Sequence, residues 1–522
     1  MRWLTNYQIA ILILSARLAA AAEPGNRLVG NELFADRPIP RIAITIAEPE
    51  LQKLRVQNRN YVSATVTVDD RVFKDVAVRL KGRGSFRPLD DKPSFAVKFD
   101  EFVPRQKLFG LSKIMLNNSS QDTSLLSEYL ATGLFRDAGV PAARVTHARV
   151  SLNGRPLGFY VLIDAMNKGF LKGHFKNATG NLYEGYAKDI DQTLEHDGGP
   201  PGDQSDLRAL LAAARLPESE RAAGLPQYLN VDRFFSFLAV TMLISQHDSY
   251  PLNRNNYRIY HDPDSNQFTM IPHGIDGTFR DNNISIRPPT KYILAKAVFG
   301  LPDGQKIYRD RVGTLFTNVF NLTVISNRIA AATNRLYAAA SEQERTDFAR
   351  HTASLLRRVA LRHDRVGKQL AQPDPQRIRI DNAQGVTLTG WEGAVDEGTA
   401  LLEKTTFDER STLYIKADTT PSLGAWRIRA LLDPGRYRIT GLARTSNASR
   451  LDQRAPSVDG AAIRVFKMYA TPKRMLANNT WTETVHHFTV TPGEEEVEFI
   501  CEFRGANAEA WFDTASLKLL RE

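Results

Sequence analysis

Residues 232–260 read DRFFSFLAVTMLISQHDSYPLNRNNYRIY, and FTMIPHGIDGTF follows at 268–279. Up to Gln246 the first stretch is apolar nearly all round, which predicts a buried helix opened by Asn230 or Asp232 as its cap. The apolar run stops at His247-Asp248, and NYRIYHD and FTMIPHG then predict a hairpin across Pro263-Asp264-Ser265-Asn266. A loop after a buried helix that carries Asp248 and Asn253, with Asp276 just beyond a hairpin, can bring three oxygen ligands to one cleft. Such a set suits phosphoryl transfer: one Asp accepts the proton of the attacking hydroxyl, while Asn and the second Asp hold Mg²⁺ against nucleotide phosphates. Polar residues at these spacings also form turns, so Asp248 and Asn253 have a purely structural reading as well.

Upstream, RIAITI, YVSATVTV, FKDVAVRLKG and PSFAVKF alternate with turns from Pro40 to Phe99 and predict a twisted antiparallel sheet. A helix follows, with Asp122-Thr123 as cap candidates, Leu126, Leu130 and Leu134 on one face, and Gly139 ahead of Pro141 as its stop. ARVSL and PLGFYVLID flank Asn153-Gly154, a hairpin signal. The first lobe is therefore expected to be a sheet carrying one inserted helix. Downstream, amphipathic helices run from about Gln305 to Leu370, and their Arg350, Arg357, Arg358, Arg362, Arg365 and Lys368 read as a solvated face. Pro373-Asp374-Pro375 reads as a linker, after which GAWRIRALL, GRYRITGLA, AIRVFKMY, TVHHFTV, EVEFICEF and ASLKLL predict a jelly-roll β-sandwich. Cys501 shares an alternating face with Val497, Phe499 and Phe503 and is expected in its core.

The 522 residues are 42% hydrophobic and 24% charged, a globular composition of several domains. A single cysteine excludes an intramolecular disulfide, a CxxC redox site and a Cys-rich zinc site. The net charge of +10 points to an anionic partner, but the basic residues are spread out with no nucleic-acid-binding motif among them. Residues 1–22 combine Arg2, an apolar stretch from Ile9 to Leu14 and an Ala-rich end, the pattern of a secretory signal peptide; an uncleaved anchor is the rival reading. The expected organisation is a signal peptide at 1–22, a linker at 23–39, a domain at 40–372 and a β-sandwich at 373–522. The protein is expected to be exported, whether periplasmic, extracellular or cell-surface, with no membrane association after signal removal.

Three more features bear on the chemistry. The turn Lys81-Gly82-Arg83-Gly84-Ser85-Phe86 can cradle phosphate with its backbone amides, Lys98 in SFAVKF can reach nucleotide phosphates, and Glu128 can pair with that lysine. A hairpin turn, a wet strand face and an exposed helix residue are the plainer readings of each. Their order along the chain, ending in Asp248, Asn253 and Asp276, is the order in which a two-lobed kinase delivers its parts.

These stretches, with FGLSKIMLNN, SLLSEYLATGLFRDAGVPAARV, LNGRPLGFYVLIDAMNKGFL and GNLYEG, resemble the CotH kinase family of secreted or spore-coat atypical protein kinases over about residues 40–370. The resemblance implies an α+β, two-lobed protein-kinase-like domain and transfer of the ATP γ-phosphoryl group to Ser/Thr hydroxyls of an acceptor protein, dependent on Mg²⁺ or Mn²⁺. Carried over by position, Asp248 is the catalytic base, and Asp276 is the metal ligand assisted by Asn253 or Asn255. Lys98 contacts phosphate with Glu128 as its partner, and Lys81, Gly82 and Gly84 line the nucleotide. The family often has Trp-Asp-x-Asp where this chain has His273-Gly274-Ile275-Asp276, so one acid is missing at Gly274. A non-catalytic pseudokinase serving adhesion or matrix binding is the alternative. The C-terminal region resembles carbohydrate-binding modules, most of all in CEFRGANAEAWFDTASLKLL, which implies a polysaccharide or cell-surface glycan partner. Trp391, Trp426, Trp481 and Trp511 are its candidate stacking residues, with burial in the core as the competing role.

Overall fold

The computed structural model describes residues 28–451, 459–466, 474–476 and 479–522. The leader read at 1–22 lies outside them, as do positions 467–469 of AIRVFKMY. The described residues form two compact units, one of those up to Pro288 with Tyr292–Gln372, the other of Pro289–Lys291 with those from Pro373 onward.

The first unit is α+β. Its strands β1 (Arg41–Thr45), β2 (Val62–Val68), β3 (Arg71–Lys81), β4 (Ser94–Lys98), β5 (Lys113–Asn117), β6 (Val145–Leu152) and β7 (Arg155–Asp164) close into a barrel in the order β1-β2-β3-β4-β5-β7-β6. Alternation sets the inward face: β2 is buried at every second residue from Val62 to Val68, and Ile42, Val66, Phe95, Val97, Ile114 and Leu162 fill the inside. Closure comes from β1 and β6, which run parallel with Ile42 opposite Val150. The expected twisted antiparallel sheet is thus refined to a closed barrel with one parallel pair, because a period of two reports a strand's faces and not its neighbours. Asn153 and Gly154, both at positive φ, make the two-residue turn from β6 to β7. A second helix, Glu48–Val56, also lies among these strands; only Leu54 of it is buried, too thin an apolar stripe to show as a period.

The helix Ser127–Asp137 starts later than its cap candidates suggest, yet Asp122 still serves it. One carboxylate oxygen accepts the Ser127 N–H at 2.8 Å, and the other accepts from the Ser124 hydroxyl at 2.6 Å. The helix Val231–Leu243 is capped by the Asn230 side chain and buried from Phe234 to Leu243. Beside it, a sheet runs in the order Gln267–Pro272, Tyr257–Asp262, Leu182–Gly185, Glu195–Gly198. Helices Gly304–Asn318, Leu322–Ala339 and Glu342–Ala371 follow among others in the unit, the last opened by a capping box between Ser341 and Glu344. The solvated face expected on this last helix fails at Arg362, which is 0% exposed, and at Arg365, which is also buried.

The second unit is all β, with a seven-stranded and a four-stranded sheet sharing one core in which Trp426, Phe499, Cys501 and Phe503 meet Ile415, Ile439, Phe512 and Leu519. Trp391, Trp426 and Trp511 are buried, and Trp481 is not. No helix among the described residues is long and apolar enough to cross a membrane.

Candidate functional site

On the barrel side the site is set by strand register. Lys81 ends β3 opposite Ser94 of β4, and Asn117 ends β5 at the same rim. The Lys81 ammonium donates to Asn117 Oδ1, and Asn117 Nδ2 donates at 3.0 Å to Glu128 Oε2 on the helix Ser127–Asp137. Lys98 stands opposite Ala77, four residues along β4 from Ser94. At about 3.3 Å per residue that is roughly 13 Å away. It is half-exposed and paired with Glu101. The pairing expected between Lys98 and Glu128 is therefore corrected to one through Asn117 with Lys81.

Three charges meet here under poor solvation. Burial raises the Glu128 carboxyl to about 7, with the Asp276 charge pushing the same way and Lys81 and Asn117 opposing. Burial also raises Asp276, as does Asp122, against Lys81 and Arg280. Lys81 is lowered by burial and held up by Glu128 and Asp276.

The Gly-rich turn faces the same space. Gly82 lies at φ +97, where a Cβ would come within 3.0 Å of Ser85 Oγ, so glycine is required. Asn118 Nδ2 fixes the turn by donating to the Ser85 carbonyl at 3.2 Å and the Lys92 carbonyl at 2.8 Å. A Cβ on Gly84 would lie 3.9 Å from Gln121 Nε2, and one on Gly277 would lie 3.8 Å from Gln121 Oε1. The turn and the loop carrying Asp276 thus line one space around Gln121.

The other half of the site follows the helix Val231–Leu243. Asp248 accepts from Asn255 Nδ2 with both oxygens, 3.0 Å each, and from Asn256 Nδ2 at 2.9 Å. Asn253 is exposed, and its amide nitrogen donates at 3.0 Å to the His247 carbonyl. Three tyrosine hydroxyls pin this segment: Tyr250 to Asp189 at 2.9 Å, Tyr257 to the Lys188 carbonyl at 2.8 Å, and Tyr292 to the Leu252 carbonyl at 3.1 Å. It is tied to the Asp276 loop by Phe279 N–H donating to the Ile244 carbonyl at 2.9 Å. Gly274 has φ +59, and a Cβ there would sit 2.8 Å from Asn256 Oδ1. Asn256 occupies the room that an acidic side chain at this position would need.

Sequence reasoning missed Asn117, Gln121 and Asn256. All three are amides, which carry no charge or spacing signature; only their place against Lys81, Gly84 and Asp248 marks them.

Among the described residues no three His, Cys, Asp or Glu side chains converge as a metal cage. The donors present instead fit Mg²⁺ or Mn²⁺ brought in with a nucleotide, since Mg²⁺ is usually held by one or two carboxylates and substrate phosphates. Asp276 and Glu128 are acids disfavoured by burial and by mutual repulsion, which a cation beside them would relieve. Asn253 and Asn255 make these contacts with their amide nitrogens, to the His247 carbonyl and to Asp248, whereas a cation would be held by their amide oxygens. His273 Nε2 lies 3.7 Å from Glu184 Oε1, and burial beside Arg258 and Lys81 keeps the ring neutral.

Residues 78–361 match the family described as CotH kinase protein. Inner spore coat protein H of Bacillus subtilis (strain 168) is 20% identical over 57% of this chain and 87% of its own length. Invasin CotH7 of Rhizopus delemar is 21% identical over 42% of each chain. Among solved structures, the Helicobacter pylori proinflammatory kinase CtkA superposes with a TM-score of 0.28 at 9% identity, covering 56% of this chain and 96% of its own. A TmCBM61 structure in complex with β-1,4-galactotriose gives a TM-score of 0.19 at 12% identity, covering 27% of this chain and 92% of its own.

Proposed function

The chain belongs to the CotH kinase protein family, and from that premise we propose that it transfers the γ-phosphoryl group of ATP to Ser or Thr hydroxyls of an acceptor protein. The reading rests on the lysine–amide–carboxylate relay Lys81–Asn117–Glu128 beside Asp276, in one unit with an Asp248 held by two amides. Lys81 holds phosphate oxygens and is itself placed by Asn117 and Glu128. Asp248 accepts the proton of the acceptor hydroxyl as that oxygen bonds to the γ-phosphorus and ADP departs. Asp276 is the carboxylate for Mg²⁺ or Mn²⁺, which when bound neutralises charge on the phosphates. Asn255 and Asn256 orient Asp248. Incubation with Mg²⁺ and γ-labelled ATP should label the protein itself or a co-purified acceptor; equal labelling by Asp248→Ala and Asp276→Ala sinks the assignment.

Export and a surface location rest on the leader pattern at 1–22 and on the spore-coat relative. For the second unit the proposed partner is a polysaccharide or cell-surface glycan, and Trp481 is the one tryptophan left partly exposed to stack on a sugar. A non-catalytic adhesion role is the second reading, favoured by Gly274 in place of an acid and by the relative described as an invasin. Absence of any ATP-dependent thermal shift together with retention on polysaccharide would select it.

A further inference from the structure

Arg362 lies about two thirds of the way along the helix Glu342–Ala371 and is fully buried. Its guanidinium donates to backbone carbonyls of two separate segments. On one side Nη2 reaches the Met242 carbonyl at 2.6 Å and Nε reaches that of Leu243 at 3.1 Å. These are the last residues of the helix that delivers Asp248, where carbonyls carry partial negative charge; that of Met242 also accepts from the Ser245 N–H at 3.1 Å. On the other side Nη1 reaches the carbonyls of Asn282 at 2.9 Å and Ile284 at 2.7 Å. That segment continues directly from Asp276. Two turns further along the same helix, Gln369 Oε1 accepts the Ile286 N–H at 2.8 Å, so the helix holds this segment at a second point.

We infer that Arg362 is a positioning residue that fixes the spacing between the Asp248 loop and the Asp276 loop. A planar guanidinium offers donors in a rigid fork, so it can satisfy two groups of carbonyls at once and set the distance between them; a lysine ammonium cannot span both with the same geometry. An arginine needed only for solubility would sit on the wet face of this helix, and one needed only for packing would not place its polar end on two carbonyls of a helix end and two of a separate loop. The inference concerns how the proposed transfer site is held together and so rests in part on that reading, but its structural half can be tested without activity.

The test is amide hydrogen exchange on the full chain, comparing the parent with Arg362→Ala and with Leu355→Ala, a fully buried apolar position on the same helix. In Arg362→Ala, residues 245–256 and 276–284 should exchange at least tenfold faster together, while Leu355→Ala loosens its own helix without that paired effect. Loosening of one segment alone, of neither, or of both equally in Leu355→Ala overturns the inference. Should the alanine variant not fold, Arg362→Lys keeps the charge with fewer donors and should loosen both segments by a smaller factor; protection equal to the parent's overturns the inference. In phosphoryl transfer, Arg362→Ala should lower kcat tenfold or more with KM for ATP within threefold, and an unchanged kcat also overturns it. Lack of transfer by the parent itself counts against the kinase reading, and the exchange data then decide the role of Arg362.

Discussion

Asn255 donates one amide to both carboxylate oxygens of Asp248, 3.0 Å to each. Contacts to both oxygens fix the plane of the carboxylate, and a general base must be held in reach of the proton it takes. Asn255→Asp puts a like charge against Asp248 and should cut phosphoryl transfer by more than tenfold. Asn253→Ala removes only a bond to the His247 carbonyl and should stay within threefold of the parent. Steady-state kinetics on the two variants checks the pair, and the reverse ranking would show that spacing, not contact, identifies the assisting asparagine.

Lys81 and Lys98 make a second contrast. Lys81→Ala removes the cation next to Glu128 and Asp276 and should cost on the order of 10² in transfer rate, the scale seen when a preorganised charge-stabilising donor is lost. Lys98→Ala breaks an exposed pair with Glu101, worth at most about 1 kcal/mol of stability, and should leave the rate nearly unchanged. Labelling assays with both variants decide between the two lysines.

Glu128 gives the unliganded protein a pH dependence. Its carboxyl is raised from 4.5 to about 7, so the folded state binds this proton more tightly than the unfolded chain does. Stability should therefore fall as pH rises through that window, by about 3 kcal/mol for a shift of this size. Glu128→Gln keeps the shape and removes the titration, so urea unfolding at acidic and neutral pH should show a flatter profile for the variant. An identical slope in both proteins would mean that another group carries the dependence.

The sequence showed faces and punctuation well and neighbours poorly. The buried helix before Asp248 and the Asn153-Gly154 turn follow from local pattern, as does Cys501 among core residues. Sequence order marks Glu128 as the partner of a strand lysine but does not say which lysine. SFAVKF and VRLKG each end near a lysine, and only the β3–β4 register shows which of the two stands at the rim with Asn117. The burial of Arg362 escapes the sequence for a related reason. Its helix is rich in arginine, and charge composition cannot say that one guanidinium points inward to carbonyls that arrive from other parts of the chain.

The closed barrel also governs how this protein can stick to others. Every one of its seven strands has a hydrogen-bonded neighbour on both sides, so it offers no open row of backbone groups on which a stray chain could grow a cross-β seed. Among the described residues the strand margins that remain lie elsewhere, and Ala400–Phe407, at the end of its sheet with Leu401 49% exposed, is the one where crowding would be expected to start aggregation.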